Sequence, residues 1–231
     1  MKVSVVIPMY NEEDNVLPLA RELAAIAPAF EAFEVILVDD GSRDATPARI
    51  REAAAICPGL RGLRMTRNSG QSAAMLRGLS AARHDIVVTL DGDLQNDPAD
   101  IPALAAKVGE FDVVCGYRAK RRDTWSRRIG SRLANRIRNS VTRDGMRDTG
   151  CSLKAFRREC VADLPRLDGV HRFMPAYFRR NHRTICEVPV NHRPRVAGIS
   201  KYGFGNRALR ATMDMFGVRW LNSRRVTYRV K

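Results

Sequence analysis

Asp91-Gly92-Asp93 stands at the end of the apolar run Ile86–Leu90 and is followed by Leu94-Gln95-Asn96-Asp97-Pro98. Carboxylates and amides crowded into so short a stretch offer hard oxygen donors, which suit Mg²⁺ or Mn²⁺ held partly by protein and partly by the phosphates of a substrate. D-x-D is a common turn pattern, so its position must carry the argument. Two further polar turns help: Pro8-Met9-Tyr10-Asn11-Glu12 follows Val3–Ile7, and Asp39-Asp40-Gly41-Ser42 follows Glu34–Val38. If the apolar runs lie side by side in one sheet, the three turns share the edge where ligands bind in open α/β folds. That crevice would suit a nucleotide, with carboxylates for ribose hydroxyls or base N–H groups and a metal to neutralise a diphosphate. The same residues also make ordinary turns and helix caps. Neither G-x-x-x-x-G-K-[ST] nor a G-x-G-x-x-G after the first run is present, which excludes a P-loop and a dinucleotide fingerprint.

The elements that must position these turns alternate in type over the first 116 residues, the pattern of a parallel sheet wrapped by helices. Val3–Ile7, Glu34–Val38, Leu63–Met65, Ile86–Leu90 and Val113–Gly116 read as strands. Between them Glu13–Ala27, a segment from Asp44 or Thr46 to about Cys57, Gln71–Ala82 and Asp100–Glu110 read as helices; Asp44 or Thr46 caps the second, with Pro47 in its first turn. Beyond Gly116 the pattern changes. Ser126–Val141 reads as a basic helix, Ser152–Phe156 and Thr184–Val190 as strands. Leu209, Met213, Phe216 and Trp220 fall on one stripe of a final helix flanked by arginines, a pattern shared by an interfacial helix and a core-packing one.

Charge divides the chain as sharply. The 231 residues carry 40 Lys+Arg against 25 Asp+Glu, a net +15. Residues 1–115 hold 11 basic and 17 acidic side chains and residues 116–231 hold 29 and 8, so the halves stand at −6 and +21. Arg118–Arg147 contains eleven Lys/Arg and only Asp123 and Asp144 against them. A solvated face, nucleic acid, an anionic membrane or a phosphorylated substrate would each account for it. With 45% hydrophobic residues the composition is that of a globular protein with a sizeable core. No apolar run approaches the ~18 residues of a membrane span, and Met1-Lys2 leads into a strand-like run rather than a signal peptide, so a cytoplasmic location is expected. Five scattered cysteines without a C-x-x-C pair predict buried or incidental thiols rather than disulfides or zinc.

Taken together, Val5-Val6-Ile7-Pro8-Met9-Tyr10-Asn11-Glu12, Val38-Asp39-Asp40-Gly41-Ser42, Asn68-Ser69-Gly70 and Asp91-Gly92-Asp93-Leu94-Gln95 resemble the inverting, nucleotide-sugar-dependent glycosyltransferases of family 2, which have the GT-A fold. Gly116-Tyr117-Arg118, Asp148-Thr149-Gly150-Cys151, His171-Arg172-Phe173-Met174-Pro175 and Arg195-Val196-Ala197-Gly198-Ile199-Ser200-Lys201-Tyr202-Gly203 narrow the resemblance to polyprenyl-phosphate glycosyltransferases of the dolichyl-phosphate mannosyltransferase type. The resemblance implies an α/β GT-A domain over residues 1–205, with a mixed, mainly parallel sheet flanked by helices, and a basic amphipathic segment over 206–231 that meets a membrane surface or a partner. It implies that Pro8, Tyr10, Glu12 and Asp39 contact the nucleoside, that Asp91 lies by the metal and sugar diphosphate, and that Asp93 and Gln95 ligate Mg²⁺ or Mn²⁺. Arg118, an arginine of the basic helix (Arg128 or Arg132), Arg195 and Lys201 would cradle the acceptor phosphate. Asp148 would orient the acceptor or simply form a turn, and His171 with Arg172 would be structural or touch substrate. A lipid phosphomonoester, with a second pKa near ~6, is already ionised at neutral pH and needs no strong general base. Arginine suits its oxygens through bidentate contacts.

The chain departs from the resemblance twice. The C-terminal transmembrane helices of many bacterial relatives have no counterpart, and a usual Gly-Ser-Arg reads Gly116-Tyr117-Arg118. The expected partners are therefore a nucleotide-sugar donor, a polyprenyl-phosphate acceptor and an anionic membrane surface at the cytoplasmic face, with room for a small membrane-anchoring subunit. A soluble saccharide or protein acceptor is the competing enzyme reading. A nucleic-acid-binding protein is the competing class, but aromatic stacking platforms are not interleaved with the charge and no specific nucleic-acid partner is expected.

Overall fold

A computed structural model describes residues 1–119, 138–194 and 204–224, with side chains of the last stretch from residue 212. The expected alternation is present: β1 (Lys2–Met9), α1 (Glu13–Ile26), β2 (Ala32–Asp39), α2 (Thr46–Ile56), β3 (Leu60–Arg64), α3 (Gln71–Ala81), β4 (Ile86–Thr89), α4 (Ile101–Ala105) and β5 (Val113–Arg118). Then follow β6 (Lys154–Arg157), α5 (Val170–Arg180), β7 (Ile185–Val190) and α6 (Phe204–Ser223). The seven strands form one sheet in the order β3-β2-β1-β4-β6-β5-β7. All pairings are parallel except those of β6, which runs antiparallel to both β4 and β5.

The central strands read as unbroken apolar runs because both faces of the sheet are covered. Val3, Val5, Ile7, Val35 and Leu37 face one core with Val16, Leu19 and Leu23 of α1. Val6, Ile36 and Val38 face the other, with Met75 and Leu79 of α3 and Phe178 of α5. A parallel sheet places β1, β2 and β4 so that their carboxyl ends, and the turns after them, lie together on one edge. All five cysteines are free thiols and four are buried; desolvation pushes Cys115 up to about 12.

Three expectations change. Asp100–Glu110 is α-helical only over Ile101–Ala105, preceded by a 3₁₀ turn at Pro98–Asp100; beyond Ala105 the backbone tightens to i−3 bonds, Lys107 N to Leu104 O and Val108 N to Ala105 O at 3.1 Å, before Gly109 at φ +129°. Thr46 does not cap α2: its Oγ1 accepts from Glu12 N at 2.8 Å, while Asp44 Oδ1 accepts from Thr46 N at 3.0 Å. On α6, Met215 and Val218 are the residues that enter the core, whereas Met213, Phe216 and Trp220 are 66%, 57% and 60% exposed. The three described members of the stripe therefore do not pack on the core. Of the basic helix, residues 138–142 are helical and the remainder lies outside the described residues.

Glu34 on β2 ties the far edge of the sheet together: Ser4 Oγ and Arg83 N each donate to it at 2.7 Å, and Arg61 lies 3.4 Å away. Burial alone would push its carboxyl up, but these hydrogen bonds and the Arg61 charge hold it below its ordinary value. With the folded value below the unfolded one, the ionised group stabilises the protein above the unfolded carboxylate range, and that contribution is lost as pH falls through the folded value. Glu34→Gln is expected to cost about 1–2 kcal/mol at neutral pH and to flatten the fall of stability on acidification. Urea unfolding across the acid range measures both, and an acid limb identical to wild type would remove Glu34 from it.

Candidate active site

The turn after β2 is built around Asp40, which is buried and accepts from Ser69 N at 2.7 Å, Gly70 N at 2.8 Å and Asn68 Nδ2 at 3.1 Å. The Asn68-Ser69-Gly70 segment is thus bound to the end of β2 and sets the start of α3. Gly41 has φ +69°, and a Cβ there would stand 2.6 Å from the Arg67 carbonyl carbon. Only glycine lets the two turns approach so closely. Asp39 is equally buried; its Oδ1 accepts from Ser42 N at 2.9 Å, but its Oδ2 has no aligned hydrogen-bond donor although Arg64 Nε is 3.3 Å away. A buried carboxylate oxygen with capacity left at the end of a strand fits a ligand N–H or hydroxyl. Asn11 joins the first turn to this one: its backbone N donates to Ser42 Oγ and its Oδ1 accepts from Arg43 N, both at 2.9 Å. Glu12 accepts from Asn15 Nδ2 at 2.6 Å, so it braces the first turn of α1.

The Asp91–Gln95 turn is held from both sides. Asp91 N donates to Ser152 Oγ at 3.2 Å and Gln71 Nε2 donates to Asp91 Oδ1 at 2.8 Å. Gly92 lies against Met9, where a Cβ would come 2.2 Å from the sulfur, so the turn after β4 abuts the end of β1. Leu94 adopts φ +59° and is buried, leaving Asp93 and Gln95 half-buried on either side of it. A left-handed leucine stores strain of about 1–3 kcal/mol, the kind found where a turn serves a site. Asp93 Oδ1 accepts from Gln95 N at 3.2 Å. Two carboxylates and an amide on one turn fit a hard divalent cation that completes its shell with substrate oxygens and water. No group of three or more His, Cys, Asp or Glu side chains able to hold a metal exists among the described residues.

On the other side of the turn Arg118 and Asp148 form a bidentate ion pair, Nε to Oδ2 at 2.6 Å and Nη2 to Oδ1 at 2.7 Å. Both are largely buried. Asp148 thus pairs with Arg118 and also closes a turn, its carbonyl oxygen accepting from Cys151 N at 3.2 Å. His171 Nδ1 lies 2.7 Å from Ser72 Oγ, which also approaches Asp168 Oδ1 at 3.2 Å. Asp91, Gln71, Arg138, His171 and Arg172 line one cavity of about 260 Å³. Arg193 grips Glu22 at 2.8 Å and Asp97 at 2.7 Å, anchoring the chain shortly before Arg195. Arg128, Arg132, Arg195 and Lys201 lie outside the described residues.

Residues 4–164 match the model of glycosyl transferase family 2. The chain belongs to this family. An undecaprenyl-phosphate 4-deoxy-4-formamido-L-arabinose transferase from Enterobacter sp. is 41% identical over 207 residues, 88% of this chain and 63% of that protein. A dodecaprenyl-phosphate galacturonate synthase from Rhizobium johnstonii is 38% identical over 225 residues, 94% of this chain and 66% of that protein. The chain therefore spans just under two thirds of the length of these curated relatives. In fold the family 2 chain is similar to glucosyl-3-phosphoglycerate synthase from Mycobacterium tuberculosis in complex with phosphoglyceric acid, TM-score 0.71 at 21% identity, covering 96% of this chain and 79% of that one. A second structure of that enzyme, TM-score 0.70 at 20% identity over the same shares, holds Mn²⁺, UDP and glucosyl-3-phosphoglycerate. The fold is GT-A.

Within this family 2 domain Pro8 and Asp39 stand in the last residues of β1 and β2, and Tyr10, Glu12, Asp91, Asp93 and Gln95 follow β1 and β4 at the same edge of the sheet. Reading the sequence missed Gln71, Ser152 and Arg193. Each acts through a contact distant in the chain, so no local pattern announced it. Gln71 at the start of α3 was the most accessible, because a helix that begins after the Asp40-bound turn must bring its first residues to the same edge.

Proposed function

We propose that this chain transfers a sugar, with inversion, from a UDP- or GDP-sugar to a polyprenyl phosphate of the undecaprenyl or dolichyl type at the cytoplasmic face of a membrane. The observation that carries this reading is the identity of about 40% to transferases named for undecaprenyl- and dodecaprenyl-phosphate, extending over nearly all of the chain. Asp39, through its unsatisfied buried oxygen, takes the nucleoside together with Pro8, Tyr10 and Glu12. Asp93 and Gln95 would hold Mg²⁺ or Mn²⁺ beside Asp91; when bound it supplies the charge that offsets the departing nucleoside diphosphate. Arg118, fixed by Asp148, with Arg132, Arg195 and Lys201, binds the acceptor phosphate and holds its oxygen in line with the anomeric carbon. That carbon gains the bond to phosphate oxygen as its bond to the diphosphate breaks, and no protein base is needed because the phosphomonoester is ionised at neutral pH.

Membrane contact falls to the C-terminal segment, residues 206–231. Exposed Phe216 and Trp220 line a groove of about 770 Å³ with Arg143, Arg179 and Arg219, and Met213 is exposed on the same helix. Apolar wedges among arginines suit the boundary of an anionic bilayer. No helix among the described residues is long and apolar enough to cross a membrane.

The test is to incubate the protein with Mg²⁺ or Mn²⁺, a panel of UDP- and GDP-sugars and polyprenyl phosphate in anionic vesicles, and to follow glycosylated lipid by mass spectrometry. Sugar-phosphate-lipid is expected, with protein sedimenting with the vesicles. Transfer only to short water-soluble acceptors would overturn the lipid assignment.

A further inference from the structure

Lys154 is 2% exposed, the only buried lysine or arginine among the described residues. It lies on the reversed strand β6, opposite Thr89 of β4 and Cys115 of β5, in the middle of the sheet. Its Nζ donates to the Cys151 carbonyl oxygen, and no carboxylate pairs with it among the described residues. An ammonium carries three donors, and a buried charge without a counter-charge costs several kcal/mol unless something compensates it. Two residues from Cys151, Thr149 is 4% exposed and its Oγ1 has no hydrogen-bond partner.

Both side chains line the cavity of about 260 Å³ that Asp91 and His171 also border. A cation and a hydroxyl, both buried and both with bonding capacity left, therefore share a chamber with the Asp91 turn. Water would satisfy the hydroxyl and leave the charge uncompensated. A ligand with several acceptor oxygens and negative charge answers both at once.

We infer that Lys154 and Thr149 form a subsite for phosphate oxygens at the floor of the active-site cavity. This rests on the sugar-transfer reading above, in which phosphates arrive from two sources, the diphosphate of the donor and the phosphomonoester of the acceptor. The subsite places positive charge in the cavity that Asp91 also lines, so that repulsion between incoming and outgoing phosphates falls as they approach. Lys154 is then a substrate-binding residue, and its unpaired burial in the substrate-free protein is the feature that makes room for an anion.

The test compares wild type with Lys154→Met, Lys154→Arg and Thr149→Val, varying nucleotide sugar and polyprenyl phosphate independently. Lys154→Met is expected to raise KM for one of the two substrates by about tenfold or more, with Lys154→Arg closer to wild type and Thr149→Val between them. The substrate whose KM rises names the source of the phosphate. Because an uncompensated charge has been removed, the substrate-free melting temperature of Lys154→Met should stay level or rise. Inorganic pyrophosphate, used as a probe without any sugar, should raise the melting temperature of wild type and raise that of Lys154→Met less. A Lys154→Met enzyme with both KM values unchanged, or one that loses kcat together with melting temperature, would make Lys154 a purely structural clasp on Cys151. Should wild type transfer no sugar to lipid, the transfer reading fails by itself, and the pyrophosphate arm still decides whether the subsite exists.

Discussion

Replacing Asp93 with asparagine is expected to lower sugar transfer on the order of 10³-fold, the scale of losing several kcal/mol of charge stabilisation at a departing diphosphate. The fold should be untouched. Asp93 is half-buried, and the oxygen that accepts from Gln95 N at 3.2 Å has an equivalent in the asparagine carboxamide. What changes is a unit of charge on a turn already strained by Leu94 at φ +59°. The measurement pairs initial rates over a range of Mg²⁺ and Mn²⁺ with a thermal melt. Partial recovery at high metal concentration is expected. Wild-type activity would sink the metal assignment, whereas a lowered melting temperature would move Asp93 from chemistry to architecture.

Asp40→Ala should do the opposite and strike the fold first. Three donors, two of them backbone N–H groups, converge on this buried carboxylate at 2.7–3.1 Å. Alanine removes their shared partner at a part-buried turn, and the expected cost is about 1–3 kcal/mol. The damage should extend to donor binding, because Asp40 fixes the turn that carries Asp39 and the start of α3 that carries Gln71. Urea unfolding gives the first quantity and titration with UDP or GDP the second. A stable variant with weakened nucleotide affinity would instead make Asp40 a direct ligand contact.

The two aspartates show where sequence reasoning stops. That Asp39, Asp40, Asp91 and Asp93 would gather on one edge followed from apolar runs of strand length separated by helical periodicity, since parallel strands leave their carboxyl ends together. Which of a neighbouring pair braces the turn and which keeps an open oxygen is decided by approach distances, such as Gly41 against Arg67, that no spacing encodes. Helix α5 went unread because Pro175 stands inside it and Phe173 departs from helical geometry. The stripe of α6 could not be assigned from periodicity, as a helix with apolar residues on two sides presents one to the core and one outward; Met215 and Val218 against Met213, Phe216 and Trp220 is that case. Lys154 escaped notice for the reason that makes it informative. A lysine in an apolar strand reads as an exposed edge position, and only the pairing of β6 between β4 and β5 puts it inside.

The reversal of β6 also fixes how the chain can vary. The chain leaves the sheet at Arg118 and re-enters at Lys154, and Arg118 is clasped to Asp148 at 2.6 Å, so the two ends of the intervening span are held together. Asp144 and Met146, just before the clasp closes, are buried, Met146 in the core shared with α5, so the span is also fastened to the domain from inside. Grafting that span between relatives would therefore have to carry the Arg118–Asp148 clasp and these two buried positions with it.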